Sequence, residues 1–236
     1  MINKVVSAVV LSLIATSAAA TCRQALLLGL DVSGSVDARE YRLQLDGLAN
    51  AFDTPSVRSA LLSFPAAPVS IGVFEWSGAT RQRLLVPWTS ISSTEDLNDL
   101  ISVLHSAQRV PLGQSTALGS AMAFAANYLE QQSECWSKTL DISGDGPSNS
   151  GPRPRDIAQH SSYDSITINA LVIGSDPNWG TDQRSEQIGE LKAYFESEVI
   201  RGPIAFVEVA LGFEDYEEAM IRKLLRELEG LVLSQL

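Results

Sequence analysis

An aspartate and two serines alternate around a glycine, directly after an apolar segment near the N-terminus. The apolar segment spans residues 25–28, and the polar residues are Asp31, Ser33 and Ser35. One carboxylate and two hydroxyls are hard oxygen donors, the ligands that Mg²⁺, Ca²⁺ and Mn²⁺ prefer. The same serines could instead act as the N-cap of a helix that follows. On this motif alone, the metal loop and the helix cap both remain open.

Two further oxygen donors occupy comparable positions later in the chain. Thr116 ends a turn at residues 113–116 and precedes an alanine-rich helical segment, where an N-cap would also stand. Asp145 directly follows a strand-like segment, in an Asp-Gly pair that is also typical of a simple turn. Each residue alone has an ordinary structural explanation. Taken together, the loop 31–35, Thr116 and Asp145 each supply an oxygen donor, either at the end of a strand or at the start of a helix next to a strand.

The elements that must position these residues alternate between strand-like and helix-like periodicity. Short apolar runs predict strands, and apolar residues at helical spacing predict helices. The predicted strands are residues 24–30, 69–76, 83–88, 138–143, 165–173 and 205–211. The predicted helices are residues 36–52, 94–106, 117–131, 185–197 and a C-terminal segment from residue 214.

This order of elements predicts an α/β fold with three layers. Strands separated by helices indicate a mostly parallel, Rossmann-like sheet of about six strands, with helices on both faces. The connection between the second and third strands is so short that we expect residues 83–88 to form an antiparallel edge strand. Ligands of such sheets bind beyond the carboxyl ends of the strands. The polar strand ends are therefore the candidate site.

The five oxygen donors match a known pattern. The pattern resembles the metal-ion-dependent adhesion site (MIDAS) of von Willebrand factor type A (vWA) domains. It consists of Asp31-x-Ser33-x-Ser35, then Thr116 after a glycine turn, then Asp145 after a strand. The strand and helix order is similar from about residue 24 to the C-terminus. The wider context at residues 75–78, 86–89, 143–146 and 169–173 resembles an exported bacterial vWA-like family of unknown function.

The resemblance implies an interaction module that uses a metal ion. Ser33, Ser35 and Thr116 would be direct ligands of Mg²⁺, or of Ca²⁺ or Mn²⁺, and Asp31 and Asp145 would supply charge, partly through water. Hydroxyl ligands carry no charge, so the ion would remain electrophilic. An acidic residue of an unknown partner protein would then complete its coordination. We expect no catalytic residues.

The resemblance also suggests roles for a tryptophan and for both cysteines. Trp179 lies in the loop 174–181, at the predicted rim of the site, where it could contact a partner or pack on its own loop. In vWA domains the first and fourth strands are parallel neighbours, and Cys22 and Cys135 each precede one of them. We therefore expect a disulfide at the amino end of the sheet, opposite the metal site.

The N-terminus and the charge indicate where the protein acts. Residues 1–20 have one lysine, a short apolar stretch and a small-residue end, as a secretory signal peptide has. We therefore expect residues 21–236 to form a single exported domain, periplasmic or secreted, with no membrane insertion after cleavage. The formal net charge of −11 argues against nucleic-acid partners, which require lysine and arginine.

Enzymatic alternatives find little support among the residues. A Ser-His-Asp site needs a histidine oriented by an acid, and neither His105 nor His160 is predicted at a carboxyl strand end. The sequence contains no P-loop lysine and no dinucleotide-binding glycine fingerprint. A metal-dependent hydrolase and a vWA scaffold that binds partners without metal remain the alternatives to a metal-dependent interaction module.

Overall fold

The computed structural model describes residues 22–111, 113–160, 163–174 and 181–233. Its centre is a six-stranded sheet. The strands are β1 (Cys22–Asp31), β2 (Val69–Trp76), β3 (Gln82–Ile91), β4 (Cys135–Gly144), β5 (Ile166–Ile173) and β6 (Val207–Ala210). They lie in the order β3-β2-β1-β4-β5-β6.

The sheet topology places two of the candidate residues side by side. All neighbouring strands pair in parallel except β3, which runs antiparallel to β2 at the edge, as predicted. β1 pairs with β2 on one side and with β4 on the other, so the strand order reverses between β1 and β4. Asp31 is the last residue of β1, and Asp145 directly follows β4. Both therefore lie where an open α/β sheet binds ligands.

Seven α-helices belong to the described part of the chain. They are α1 (Ala38–Asp53), α2 (Pro55–Leu62), α3 (Thr94–Ser106), α4 (Leu118–Leu129), α5 (Pro154–Ala158), α6 (Thr181–Glu198) and α7 (Tyr216–Leu233), and a short 3-10 helix, Phe213–Asp215, precedes α7. The sequence predicted neither α2 nor α5. Both are short helices that begin with proline, and neither is long enough to show a clear helical stripe.

The helices form two layers around the sheet. Leu26, Leu28 and Leu30 of β1 pack into an apolar cluster with α1, α3 and α7, whereas Ala25 and Leu27 pack on the opposite face with α4. Because both faces of β1 are buried, its sequence is a continuous apolar run rather than an alternating one. These two clusters confirm the three-layer α/β fold.

The amino end of the sheet is closed by the predicted disulfide. Cys22 and Cys135 are register partners at the first positions of β1 and β4, and their sulfur atoms are bonded. The cysteines are 113 residues apart. Constraining a loop of this length in the unfolded chain stabilises a fold by about 4–5 kcal/mol in the chain-entropy account.

The N-terminal prediction lies outside the described residues. The expected signal peptide, residues 1–20, belongs to the segment before Cys22. Within the described ranges, no helix has the length and apolar character needed to cross a bilayer.

Candidate metal centre

The loop 31–35 is fixed against a second loop that precedes α4. The backbone N–H of Ser33 donates to Asp31 Oδ1 at 2.8 Å, which turns the chain as it leaves β1. The N–H of Gly34 donates to the carbonyl of Gln114 at 3.1 Å. A Cβ atom on Gly34 would lie only 2.9 Å from that carbonyl oxygen, so the close approach of the two loops requires glycine.

Direct contacts connect four of the five predicted ligands. The hydroxyls of Ser33 and Ser35 are 3.3 Å apart. Ser35 Oγ donates to Asp145 Oδ1 at 2.8 Å, which bridges the ends of β1 and β4. Asp31 joins this chain through its hydrogen bond with the Ser33 N–H. Thr116 is buried on the neighbouring loop.

The serines of the first loop do not cap the following helix. The N-cap of α1 is Asp37, whose Oδ1 accepts from the Glu40 N–H at 2.8 Å. Glu40 Oε2 accepts from the Asp37 N–H at 2.8 Å, which completes a capping box. The helix-cap alternative for Ser33 and Ser35 is therefore wrong, and their hydroxyls are left for another role.

Thr116 is not a helix cap either. The N-cap position of α4 is Ala117, and the first helical N–H group, that of Leu118, donates to Ser148 Oγ at 3.2 Å. The Thr116 backbone is framed by Asn149: its N–H donates to Asn149 Oδ1 at 2.9 Å, and its carbonyl accepts from the Asn149 N–H at 2.8 Å. The loop after Asp145 therefore holds Thr116 in place.

Ser148 and Asn149 were missed by the sequence reasoning. Their signal was the polar segment 148–150 inside a Gly/Pro/Ser-rich loop. Such a segment is usually solvated, and nothing local indicates that it folds back on a residue more than thirty positions earlier.

The electrostatics of Asp31 are unusual for a carboxylate. Its side chain is fully buried, and within the described residues Oδ2 has no hydrogen-bond partner. The pKa of Asp31 is raised to about 8: burial is the largest cause, the negative charge of Asp145 adds to the shift, and the hydrogen bonds of Ser33 oppose it. Burial also raises the pKa of Asp145, against the effect of the Ser35 hydrogen bond.

The donor set fits a hard divalent cation. The negative charge of Asp145 raises the pKa of the buried Asp31, so the two carboxylates repel each other. No lysine or arginine of the described residues lowers the pKa of either one. The described residues hold no group of three or more His, Cys, Asp or Glu side chains arranged for a metal. A metal here would therefore depend on hydroxyl oxygens, which suit Mg²⁺, Ca²⁺ or Mn²⁺ better than a soft-ligand zinc site.

Three further residues were singled out in the sequence: Trp179, His105 and His160. Trp179 lies outside the described residues, so its contact with a partner stays a prediction. His105 is on the surface of α3, with Nδ1 3.0 Å from Asp46 Oδ1, and His160 is exposed after α5. Neither histidine lies at a carboxyl end of a strand, as the sequence predicted.

Two cavities flank the candidate centre. One has a volume of about 440 Å³ and is lined by Asp145 with apolar side chains that include Ile188, Leu191 and Tyr194. The other has a volume of about 410 Å³ and lies between the two loops of the site; its lining residues include Val32, Gly34, Arg109 and Gln114. A ligand that approaches the centre would thus meet a largely apolar flank beside Asp145 on one side and a flank that carries the cationic Arg109 together with Asp37 on the other.

The fold of this chain is similar to that of many solved structures, among them a matrix protein, a pilus adhesin and a von Willebrand factor type A protein. Proximal thread matrix protein 1 from the mussel byssus, with a zinc-occupied MIDAS motif, is 17% identical over 89% of this chain and 48% of that chain, with a TM-score of 0.58. The pilus adhesin SpaC from Lactobacillus rhamnosus GG is 14% identical over 90% of this chain and 31% of that chain, with a TM-score of 0.57. A von Willebrand factor type A protein from Catenulispora acidiphila is 14% identical over 88% of this chain and 43% of that chain, with a TM-score of 0.56.

These similarities establish the fold. The chain spans less than half the length of each of these three structures, and at such low identities only the architecture is shared. No curated protein matches the chain. The architecture is that of a von Willebrand factor type A domain. The sequence matches a family model over residues 21–232, and the chain belongs to that family, which is described as protein of unknown function (DUF1194).

Proposed function

We propose that this protein is an exported interaction module that binds a divalent cation through Asp31, Ser33, Ser35, Thr116 and Asp145. The ion would in turn bind a carboxylate of a partner protein. The observation that carries the proposal is the buried Asp31, whose Oδ2 lacks a partner within the described residues and whose neighbour is a second carboxylate. A carboxylate pair in that position is stable as an ionised pair only with a cation beside it.

The five residues would contribute two kinds of ligand, charged carboxylates and neutral hydroxyls. Asp31 and Asp145 would supply the negative charge, and the hydroxyls of Ser33, Ser35 and Thr116 would supply neutral oxygens. When bound, the ion would offer an electrophilic position to a partner carboxylate. Mg²⁺ is our first choice, because it accepts few carboxylates and many neutral oxygen ligands; Ca²⁺ and Mn²⁺ are the other two ions to test.

The comparisons and the cysteines support the rest of the proposal. One neighbour in fold is a pilus adhesin, and another is a matrix protein with an occupied MIDAS motif. The disulfide between Cys22 and Cys135 is typical of an oxidising compartment, in agreement with the signal-like residues 1–20. We therefore propose that the module acts in the periplasm or outside the cell.

Metal titration tests the proposal directly. Mg²⁺, Ca²⁺ and Mn²⁺ are titrated by calorimetry and by thermal unfolding into wild type, Asp31→Ala and a matched control, Asp99→Ala, which removes an exposed carboxylate of α3. We expect wild type and the control to bind and to be stabilised, and Asp31→Ala to do neither. A wild type without any metal response would leave only a metal-free scaffold.

Partner capture tests the second half of the proposal. Wild type and Asp31→Ala are used as baits in periplasmic extract, each with and without a chelator. We expect a partner that is retained by wild type in Mg²⁺ and lost both with chelator and with the variant. Equal retention in all four conditions would separate the interaction from the metal.

A further inference from the structure

Two arginines on one flank of the candidate metal centre, Arg81 and Arg109, form no salt bridge with another described residue. The salt bridges of the described residues pair many arginines and lysines with Asp or Glu, and none of them includes Arg81 or Arg109. The chain has a net charge of −11, so the positions of these two arginines bear on which ligands the site attracts.

Arg109 forms part of the wall of the cavity between the two ligand-bearing loops. It is exposed, and its guanidinium donates to the carbonyl of Val36, just after the loop 31–35. The same cavity of about 410 Å³ is lined by Gly34 on one loop and Gln114 on the other. Within the described residues the guanidinium makes this one side-chain hydrogen bond, which leaves its other N–H groups for a ligand.

Arg81 lies in the turn that borders the same loops. Its N–H donates to the Gly78 carbonyl at 3.0 Å, and its own carbonyl accepts from the Ser77 N–H at 3.1 Å. Its Cγ would be 4.0 Å from a Cβ on Gly113, which lines the cavity with Arg109. The exposed Arg81 side chain therefore begins at the edge of this cationic flank.

The described residues that line this cavity include one cationic side chain, Arg109, and one acidic side chain, Asp37, whose carboxylate accepts the Glu40 N–H in the capping box. This cavity therefore offers a guanidinium to an anion. The cavity on the other side of the centre is lined by Asp145 and Glu190 and has no arginine or lysine among its described lining residues. The two flanks therefore differ in charge, and an acidic ligand would favour one of them.

We propose that the partner is an acidic segment with two carboxylates, one for the metal centre and a second that binds the Arg109 guanidinium in this cavity. Arg81 adds attraction at the edge of the cavity. A planar guanidinium matches a carboxylate with two parallel hydrogen bonds, so Arg109 fixes the direction in which the segment crosses the site. This inference rests on the proposed function and adds the recognition chemistry of the partner to it.

The test uses synthetic peptides as probes. Capped glycine-rich peptides with one glutamate, or with two glutamates at varied spacing, are titrated in Mg²⁺ into ¹⁵N-labelled full-length protein and followed by NMR. We expect a two-glutamate peptide to bind wild type about tenfold more tightly than the single-glutamate peptide. Arg109→Gln removes that gain and leaves the affinity for the single-glutamate peptide unchanged.

Two further variants sharpen the result. Arg81→Gln reduces the gain by about two- to threefold, as removal of a peripheral charge does. Arg222→Gln removes an exposed arginine that pairs with Glu208 on β6, at the far edge of the sheet, and leaves all affinities unchanged. Thermal unfolding and Mg²⁺ affinity of Arg109→Gln must equal those of wild type, which shows that its loops are intact.

The outcomes separate this inference from the proposed function. If Mg²⁺ and the single-glutamate peptide bind but the second glutamate gives no gain at any spacing, or if the gain survives Arg109→Gln, the role of Arg109 is overturned alone. If wild type does not bind Mg²⁺, the proposed function fails, and the two-carboxylate recognition fails with it.

Discussion

Two buried aspartates on adjacent strands have opposite surroundings. Asp31 ends β1, and Asp141 lies within β4; the two side chains are 0% and 2% exposed. Lys223 of α7 places its Nζ 3.0 Å from Asp141 Oδ1 and 2.7 Å from Glu227 Oε1. Within the described residues, Asp31 has no such cation, and its Oδ2 has no hydrogen-bond partner.

Neighbouring charges shift the pKa values of Asp31 and Asp141 in opposite directions, which indicates different roles for the two carboxylates. Burial is the largest cause that raises the pKa of both, to about 7 for Asp141 and about 8 for Asp31. The positive charge of Lys223 opposes the shift in the pKa of Asp141, whereas the negative charge of Asp145 adds to the shift in the pKa of Asp31. Asp141 is therefore paired with a cation inside the molecule, whereas Asp31 has no internal counter-charge within the described residues, as the proposed cation site requires.

Removal of the internal cation should have the largest effect. Lys223→Met leaves Asp141 and Glu227 buried without a positive charge, and Asn169 Nδ2, which donates to Glu227 Oε1 at 2.7 Å, cannot compensate for it. We expect the free energy of unfolding to fall by about 3–5 kcal/mol. Urea unfolding followed by circular dichroism measures the loss.

A compensated variant controls for the packing of α7. Lys223→Met combined with Asp141→Asn and Glu227→Gln has no uncompensated charge, so most of the stability should return. Equal losses in the single and triple variants would show that Lys223 acts through its shape rather than its charge.

The corresponding change at the other aspartate should leave folding intact and abolish metal binding. Asp31→Asn removes a carboxyl whose charge has no internal partner within the described residues, so the unfolding free energy in chelator should not fall, and it should exceed that of wild type as pH rises toward 8, where ionisation of Asp31 opposes folding. Because the ligand charge is lost, Mg²⁺ affinity should fall by at least about a hundredfold, or about 2.7 kcal/mol. Calorimetry measures the affinity and urea unfolding the stability. A large loss of stability without metal would place Asp31 in the same structural class as Asp141.

The raised pKa of Asp31 also predicts a pH dependence of metal binding. In the metal-free protein the carboxyl holds its proton up to about pH 8, and the ion must displace that proton. Mg²⁺ affinity should therefore rise by up to about tenfold per pH unit between about pH 6 and 8, and level off above that range. Calorimetry at several pH values, in buffers of different ionisation heat, counts the protons released.

Folding without metal should show the linked effect with the opposite sign. The folded-state pKa of Asp31 lies above its unfolded value, so the folded protein holds the proton longer and its stability falls as pH rises from about 4 to about 8. Asp31→Asn should flatten this part of the profile. An equally steep profile in that variant would assign the slope to another group, such as Asp141.

The contrast also shows what the sequence could predict. The end of β1 was predictable because a continuous apolar run followed by Asp31, Ser33 and Ser35 is a local pattern. The charged cluster was not. Lys223 and Glu227 stand four positions apart on an amphipathic helix, a spacing typical of an exposed ion pair, yet both are buried.

The same limit explains the assignment of the helix caps. Ser33, Ser35 and Thr116 have the residue types of N-caps, and their neighbours in sequence could not decide the question. In α1 the N-cap is Asp37, which forms a capping box with Glu40, and this pair is present as a local pattern in the sequence. In α4 the first helical N–H, that of Leu118, donates to Ser148 Oγ, thirty residues away in sequence. Only the tertiary structure shows this contact.

The smallest expected effect separates hydroxyl from carboxylate ligands within the centre. Ser35→Ala removes one neutral oxygen and the hydrogen bond to Asp145 Oδ1, and water can take the vacated position. We expect Mg²⁺ affinity to fall by about three- to tenfold, or about 1 kcal/mol, with no change in stability, because Ser35 is exposed. Calorimetry on Ser35→Ala and on Ser92→Ala, an exposed serine before α3, measures the difference. A loss as large as that of Asp31→Asn would mean that Ser35 positions Asp145 for the ion, and no loss at all would remove Ser35 from the ligand set.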